Sequence, residues 1–273
     1  GDMELVYFEI LSKMLTFNRY KLMSEKAQFE KKMLNGESFV TQQNNADLHK
    51  KGWVPDLRNM IEATSNMSEN RIVRSMEEII KKKKEYHSLH RPVECFKELI
   101  CYIQIELQSA NLGHRDLAVA ALFRIFYTLT TDRRDPLPKL LNDWKSSTYT
   151  KEYTQALIEL LHETMKTLDL AQSIYSDETE IAKARKIRQK KGSTLDIEQY
   201  TAAAYRFDTN EYFKKLVNNG SVRMYTKLLE KYTTNEPSTN HYIYCFFQRL
   251  NNFQIEQTFP TPSPLEIKDI EGQ

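Results

Sequence analysis

Apolar residues return at intervals of three and four along most of this chain, the spacing of helices buried on one side, and strand-like alternation is lacking. From Met3 to Met23 the pattern places Leu5, Phe8, Leu11, Leu15 and Leu22 at helical intervals, with Val6, Ile10, Met14 and Phe17 beside them. So wide an apolar face predicts a helix packed on two neighbours. The pattern turns charged from Ser24 to Leu34 and stops at Asn35-Gly36. Residues 37 to 52 are polar and aperiodic around Gln42-Gln43-Asn44-Asn45, which predicts a loop. A short stripe of Leu57, Met60 and Ile61 follows Pro55, and a helix is predicted from Glu69 to Tyr86. It runs into Lys81-Lys82-Lys83-Lys84, four charges that encircle a helix and read as a solvated last turn, with a phosphate contact as the other reading.

Further along, Pro92 opens a predicted helix that buries Val93, Phe96, Leu99, Ile100, Ile103 and Leu107. Gly113 is read as the separator before a core helix from Leu117 to Leu129, with Leu117, Ala120, Ala121, Phe123, Ile125 and Phe126 inside. Asp135-Pro136-Leu137-Pro138 is read as a break and Lys139 to Trp144 as a short helical turn. Tyr153 to Leu170 is amphipathic, with Leu157, Leu160, Leu161, Thr164, Met165 and Leu168 on one side.

Three more helices are predicted between Glu211 and Leu250. Tyr212, Phe213, Leu216 and Val217 form the first apolar stripe, and Gly220 is expected to stop that helix through a positive φ. Ser221 is then placed to cap a second helix burying Val222, Tyr225, Leu228, Leu229 and Tyr232. Asn235-Glu236-Pro237 breaks it, and Ser238 or Thr239 caps a third helix carrying Ile243, Phe246, Phe247 and Leu250. Phe259-Pro260-Thr261-Pro262-Ser263-Pro264 predicts an extended tail.

Composition agrees with an all-α chain. Seven glycines and eight prolines in 273 residues leave few hairpin turns, and 28% charged residues suit long amphipathic helices. With 39 basic against 37 acidic residues the net charge is only +2, so nucleic-acid contact would have to come from local clustering. Serial helices joined by short breaks suggest paired helices stacked as an α-solenoid, with an irregular bundle as the structural alternative. Three cysteines, Cys95, Cys101 and Cys245, without a CxxC pair argue for a reducing compartment. No run is long and apolar enough to span a bilayer, and a chain starting Gly1-Asp2-Met3 is expected to be a fragment.

Candidate chemistry is sparse. Lys183, Arg185, Lys186, Arg188, Lys190 and Lys191 put six basic residues into nine positions with no acid among them, a density able to neutralise several phosphates. A solvated linker, a nuclear-import signal and a DNA-contacting helix start all fit that pattern. His87, His90, Cys95 and Cys101 match no standard zinc spacing, so the cysteines are read as structural and no metal or cofactor is expected. His162, Glu163 and His241 read as cap or core-edge residues, and no catalytic set is apparent.

The stretch from Glu211 to Leu250 resembles the Timeless family, nuclear scaffolds of the replication fork and, in an insect branch, of the circadian clock. An aromatic helix before Ser221, then Val222-Arg223-Met224-Tyr225 with Leu228-Leu229 and Tyr232, then Thr239-Asn240-His241 with Ile243 and Arg249-Leu250, carry the resemblance. Phe17-Asn18-Arg19, Phe123 to Tyr127, and Leu157 to Leu168 ahead of the basic run extend it in order. The resemblance implies an armadillo/HEAT-like solenoid and a non-enzymatic nuclear scaffold with no small-molecule substrate. It implies a Tipin-like small subunit, the replicative helicase and duplex DNA, bound without sequence specificity, as partners. It favours the six basic residues as DNA contacts and Tyr225, Tyr232, Asn240, His241 and Tyr242 as partner contacts. The alternatives are a clock-type scaffold for a Period-like protein and an unrelated helical-repeat module that binds nucleic acid. The expected division is a helical-repeat region at 1–176 with a polar loop near 37–52, a charged basic linker or helix start at 177–199, a helical region at 200–250 and an extended, proline-containing tail at 251–273.

Overall fold

Between Leu89 and Gln108 apolar residues take up most of the helix circumference beside one polar stripe of Arg91, Glu94, Lys97 and Glu98, and so broad an apolar surface must be covered on several sides. The computed structural model, which describes residues 2–35, 53–54, 72, 74, 76, 78, 89–131, 136–175 and 208–258, shows how this is done. Among the described residues eight helices have defined bounds and no strand occurs. They are α1 (Asp2–Leu34), α2 (His90–Leu107), α3 (Leu112–Thr131), α4 (Pro136–Asn142), α5 (Lys151–Tyr175), α6 (Thr209–Leu216), α7 (Asn219–Leu229) and α8 (Pro237–Thr258). None is long and apolar enough to cross a membrane.

Fourteen of the eighteen residues of α2 are buried. Its most extensive packing is against α5, followed by α1 and α3, while α8 lies on α5 and α7 joins α4 to α8. One continuous cluster of buried side chains runs from Phe8 in α1 to Phe246 in α8. Ile72 and Met76, both in helical conformation, belong to the same cluster.

Proline positions explain two boundaries. The first amides of a helix have no partner within it, so a proline in the first turn forfeits nothing. Accordingly α2 starts at His90 with Pro92 inside its first turn, and α4 starts at Pro136 with Pro138 inside, earlier than the predicted turn at Lys139. Gly113 likewise falls within the first turn of α3 and is not the separator; the break is Gln108 to Asn111, where the Asn111 side chain accepts the Gly113 amide at 2.9 Å. Leu117, expected inside, is exposed.

The first helix departs from expectation in a different way. Phe8, Leu15 and Leu22, seven residues apart, are buried, and Leu11 and Phe29 pack beside them, so α1 meets the core along a narrow seam. Val6, Ile10, Met14 and Phe17 form a second stripe on its other side that stays exposed, Phe17 by 71%. The predicted second neighbour of α1 is therefore not supplied at these side chains.

Polar groups join the three long helices. Arg19 of α1 donates from Nε to Glu98 Oε2 at 2.8 Å and from Nη2 to Glu98 Oε1 at 3.2 Å, a two-pronged bond to a carboxylate that is only 4% exposed. Lys97 bridges the same carboxylate at 3.0 Å and Glu159 of α5 at 3.1 Å. Burial alone would raise the Glu98 pKa, but the Arg19 hydrogen bond and the Lys97 and Arg19 charges hold it below the usual range. Nearly two turns beyond the Arg19 junction, Gln104 donates to Thr167 Oγ1 at 3.1 Å, stitching α2 to α5.

Two expectations follow. Arg19→Met leaves Glu98 buried with Lys97 as its remaining cation, and should cost about 2–3 kcal/mol in urea denaturation. Adding Glu98→Gln should recover much of that loss. The second concerns Glu106, which burial pushes up to about 8 from an ordinary 4.5. An unfolded chain sheds that proton first, so this carboxyl stabilises the fold below pH 4.5 and its contribution is lost as the pH rises towards 8. Glu106→Gln should therefore raise the urea midpoint more at pH 8 than at pH 4.

Candidate functional site

The C-terminal helices meet the rest of the chain through specific caps. Asp208 starts α6 by accepting the Asn210 and Glu211 amides at 2.9 and 3.0 Å. Tyr212, Phe213 and Leu216 are buried as predicted, but α6 ends in extended backbone at Val217, without a glycine stop. Asn218, not Ser221, caps α7: its Oδ1 accepts the Gly220 and Ser221 amides at 3.0 Å, while Ser221 Oγ accepts the Asn218 amide at 2.9 Å. This reciprocal arrangement uses side chains at both ends of the first turn.

Gly220 sits inside that turn for a steric reason. A Cβ there would fall 2.7 Å from both Cα and the carbonyl oxygen of Asn142, backbone atoms at the end of α4 that cannot swing aside. Asn218 reinforces the approach by donating to Pro138 O at 3.2 Å. Ser221, Met224 and Tyr225 are the buried side chains of α7, whereas Val222, Leu229 and Tyr232, expected inside, are exposed. Only one narrow edge of α7 faces inward.

Neither Ser238 nor Thr239 caps α8, because Pro237 already occupies its first helical position and the Asn240 amide bonds back to Glu236 O at 3.1 Å. Thr239 Oγ1 instead donates to Gln155 Oε1 of α5 at 2.8 Å. Further on, Arg249 donates to Asp169 and lies 5.5 Å from the centre of the Phe213 ring. These contacts ascend together on the two helices, so α8 and α5 run in the same direction. The helix continues through Thr258, past the expected boundary at residue 250.

Between α5, α6 and α8 lies a cavity of about 500 Å³. His162, Met165 and Asp169 line one wall, Tyr242, Cys245 and Arg249 the other, and Phe213, Tyr225 and Phe246 are at its base. Tyr225 stacks on Phe246 with ring centres 3.9 Å apart and planes 4° from parallel. That ring is 1% exposed, and burial pushes its hydroxyl far above the ordinary range. Of the five residues singled out as partner contacts, Tyr225 is therefore a core side chain.

The other four gather at the start of α8. Asn240 is held on both sides, its Nδ2 donating to Tyr232 O at 2.7 Å and its Oδ1 accepting from Asn235 Nδ2 at 3.1 Å. Asn235 also donates to Leu228 O at 2.8 Å, so the two amides latch the α7–α8 turn. Tyr232 is exposed by 62% at the edge of this latch. Tyr242 packs on His162 with ring centres 4.7 Å apart, and His241, exposed at the surface, meets the same ring edge-on at 5.3 Å. Burial lowers the His162 pKa, which favours its neutral imidazole. Cys95 and Cys101 are buried thiols, each pushed up to about 12 by burial. The six basic residues from Lys183 to Lys191, and Lys81 to Lys84, lie outside the described residues.

Residues 219–259 match a family model described as TOF1-like, helical domain. The match begins at the first residue of α7 and ends one residue beyond α8. No curated protein matches the chain.

The α4–α7 approach yields a direct test of how this segment is seated. Gly220→Ala should destabilise the chain by about 3 kcal/mol, read as a lower urea midpoint, because backbone must move to admit the methyl group. Gly113→Ala, where the nearest atom is the Asn111 side chain at 3.3 Å, should be far milder.

Proposed function

We propose that this chain is a non-enzymatic helical scaffold of the Timeless/Tof1 type, acting at the replication fork in the nucleus. The observation that carries the reading is the coincidence of the TOF1-like match with two whole helices, α7 and α8, and with the latched turn between them. In this reading the helices stack as an armadillo/HEAT-like solenoid. Residues 1–176 form its repeat region, 177–199 a basic linker, and the TOF1-like helices the C-terminal part. The surface holds a Tipin-like small subunit and the replicative helicase in fixed geometry. Lys183, Arg185, Lys186, Arg188, Lys190 and Lys191 grip duplex phosphates without reading sequence.

Two surfaces suit partners. Tyr232, His241 and Tyr242 cluster at the start of α8, with Asn240 holding their turn in shape and Tyr225 supporting them from the core. The exposed stripe of Val6, Ile10, Met14 and Phe17 on α1 is an apolar row of the kind that interfaces cover.

Affinity capture from nuclear extract should recover a Tipin-like subunit together with helicase subunits, and Tyr232→Ala should reduce that recovery without lowering the melting temperature. Capture of a Period-like protein instead would assign the chain to the clock branch and overturn the fork reading. Changing the six basic residues to Gln should weaken duplex DNA binding by about tenfold or more and flatten its salt dependence. An unchanged salt slope would remove the basic run from the DNA contact.

A further inference from the structure

His162 of α5 and His241 and Cys245 of α8 bring two imidazoles and a thiol to one point on the surface where these helices meet. One ligand atom from each lies within 4.8 Å of the others. Cys245 Sγ is 3.6 Å from His241 Nε2 and 3.9 Å from Nδ1. A tetrahedral zinc ion, with bonds of about 2.0–2.3 Å, sets its ligand atoms roughly 3.3–3.8 Å apart. The 3.6 Å from Cys245 Sγ to His241 Nε2 falls in that range, since residues four apart share a helix face, and the imidazoles of His241 and His162 would turn to direct a ring nitrogen at the ion.

We infer that His162, His241 and Cys245 form a site for a divalent cation of the zinc class at the α5–α8 junction, with its fourth position open to water. Two nitrogen donors and one sulfur suit zinc better than calcium or magnesium, which take oxygen. The frame is held independently: Thr239 bonds Gln155 before the site, Arg249 bonds Asp169 after it, and Tyr242 packs against the His162 ring. The cations nearest the site are offset, since Lys166 faces Glu163 at 3.4 Å and Arg249 faces Asp169. The bound ion would clamp α8 to α5, giving the C-terminal helices a metal-dependent stability.

The test uses the untagged, metal-free chain titrated with Co²⁺. A thiolate-to-cobalt charge-transfer band, saturating at one ion per chain and displaced by Zn²⁺, is expected. Cys245→Ser should abolish the band, and His162→Gln or His241→Gln should weaken binding by more than about tenfold. Loss of binding on Cys245→Ser counts only with an unchanged circular dichroism spectrum. The wild-type chain supplies a second reading without any substitution: because Cys95 and Cys101 are buried, alkylation reports Cys245, and Zn²⁺ should slow it at least tenfold. No cobalt–thiolate band, a band that survives Cys245→Ser, or alkylation indifferent to Zn²⁺ would each overturn the site.

Discussion

The carboxylate of Glu98 lies inside a helix that is covered on nearly every side, and the architecture must answer its charge. Removing a carboxylate from water is affordable only where cations and hydrogen bonds replace the lost hydration. Arg19 supplies two bonds from α1, and Lys97 carries the link on to Glu159 in α5. Three helices are thus fixed in mutual register by one buried charge. Apolar contact could press α1 and α5 against α2 in several registers, because a greasy face slides at little cost; a bidentate ion pair has one.

A second, steric constraint positions the C-terminal helices. Backbone meets backbone where α4 ends and α7 begins, and only the absence of a side chain at Gly220 allows it. The Asn218–Ser221 cap and the Asn218 bond to Pro138 O then fix the direction in which α7 leaves that point. From there the Asn235–Asn240 latch turns the chain into α8, and the Tyr225–Phe246 stack closes the core beneath it. Polar groups steer these helices, and aromatic rings fill the space that results.

Much of the helical layout could be read from the apolar spacing. Val93 to Leu107 and Leu157 to Leu168 form helices with the expected faces inward, and Tyr212, Phe213 and Leu216 are buried as their spacing requires. Errors arose where an apolar residue has no inward direction left to it. Val222, Leu229 and Tyr232 share helical spacing with Tyr225, yet they face solvent. Pro92 lies in the first turn of the helix it is expected to open, whereas Pro136 and Pro138, where a break is expected, form the first turn of α4. The sequence marks Gly220 as a helix stop with a positive φ, because it carries no sign of the backbone that lies across from it. His241 and Cys245 were four residues apart in plain view, but the partner His162 stands 79 residues before His241, and only tertiary packing joins them.

The slender attachment of α1 bears on the chemistry of the thiols beneath it. Arg19 lies near enough to Cys101 for its charge to oppose the rise that burial imposes on that thiol. A helix held by one seam and by polar links at Arg19–Glu98, Arg91–Glu9 and Lys26–Gln108 opens more readily than the interior it covers. Each such opening would release Arg19 from Glu98 and admit water to the α2 surface that carries Cys101. Access of oxidants to Cys101 would then follow how often α1 lifts as well as the acidity of the thiol.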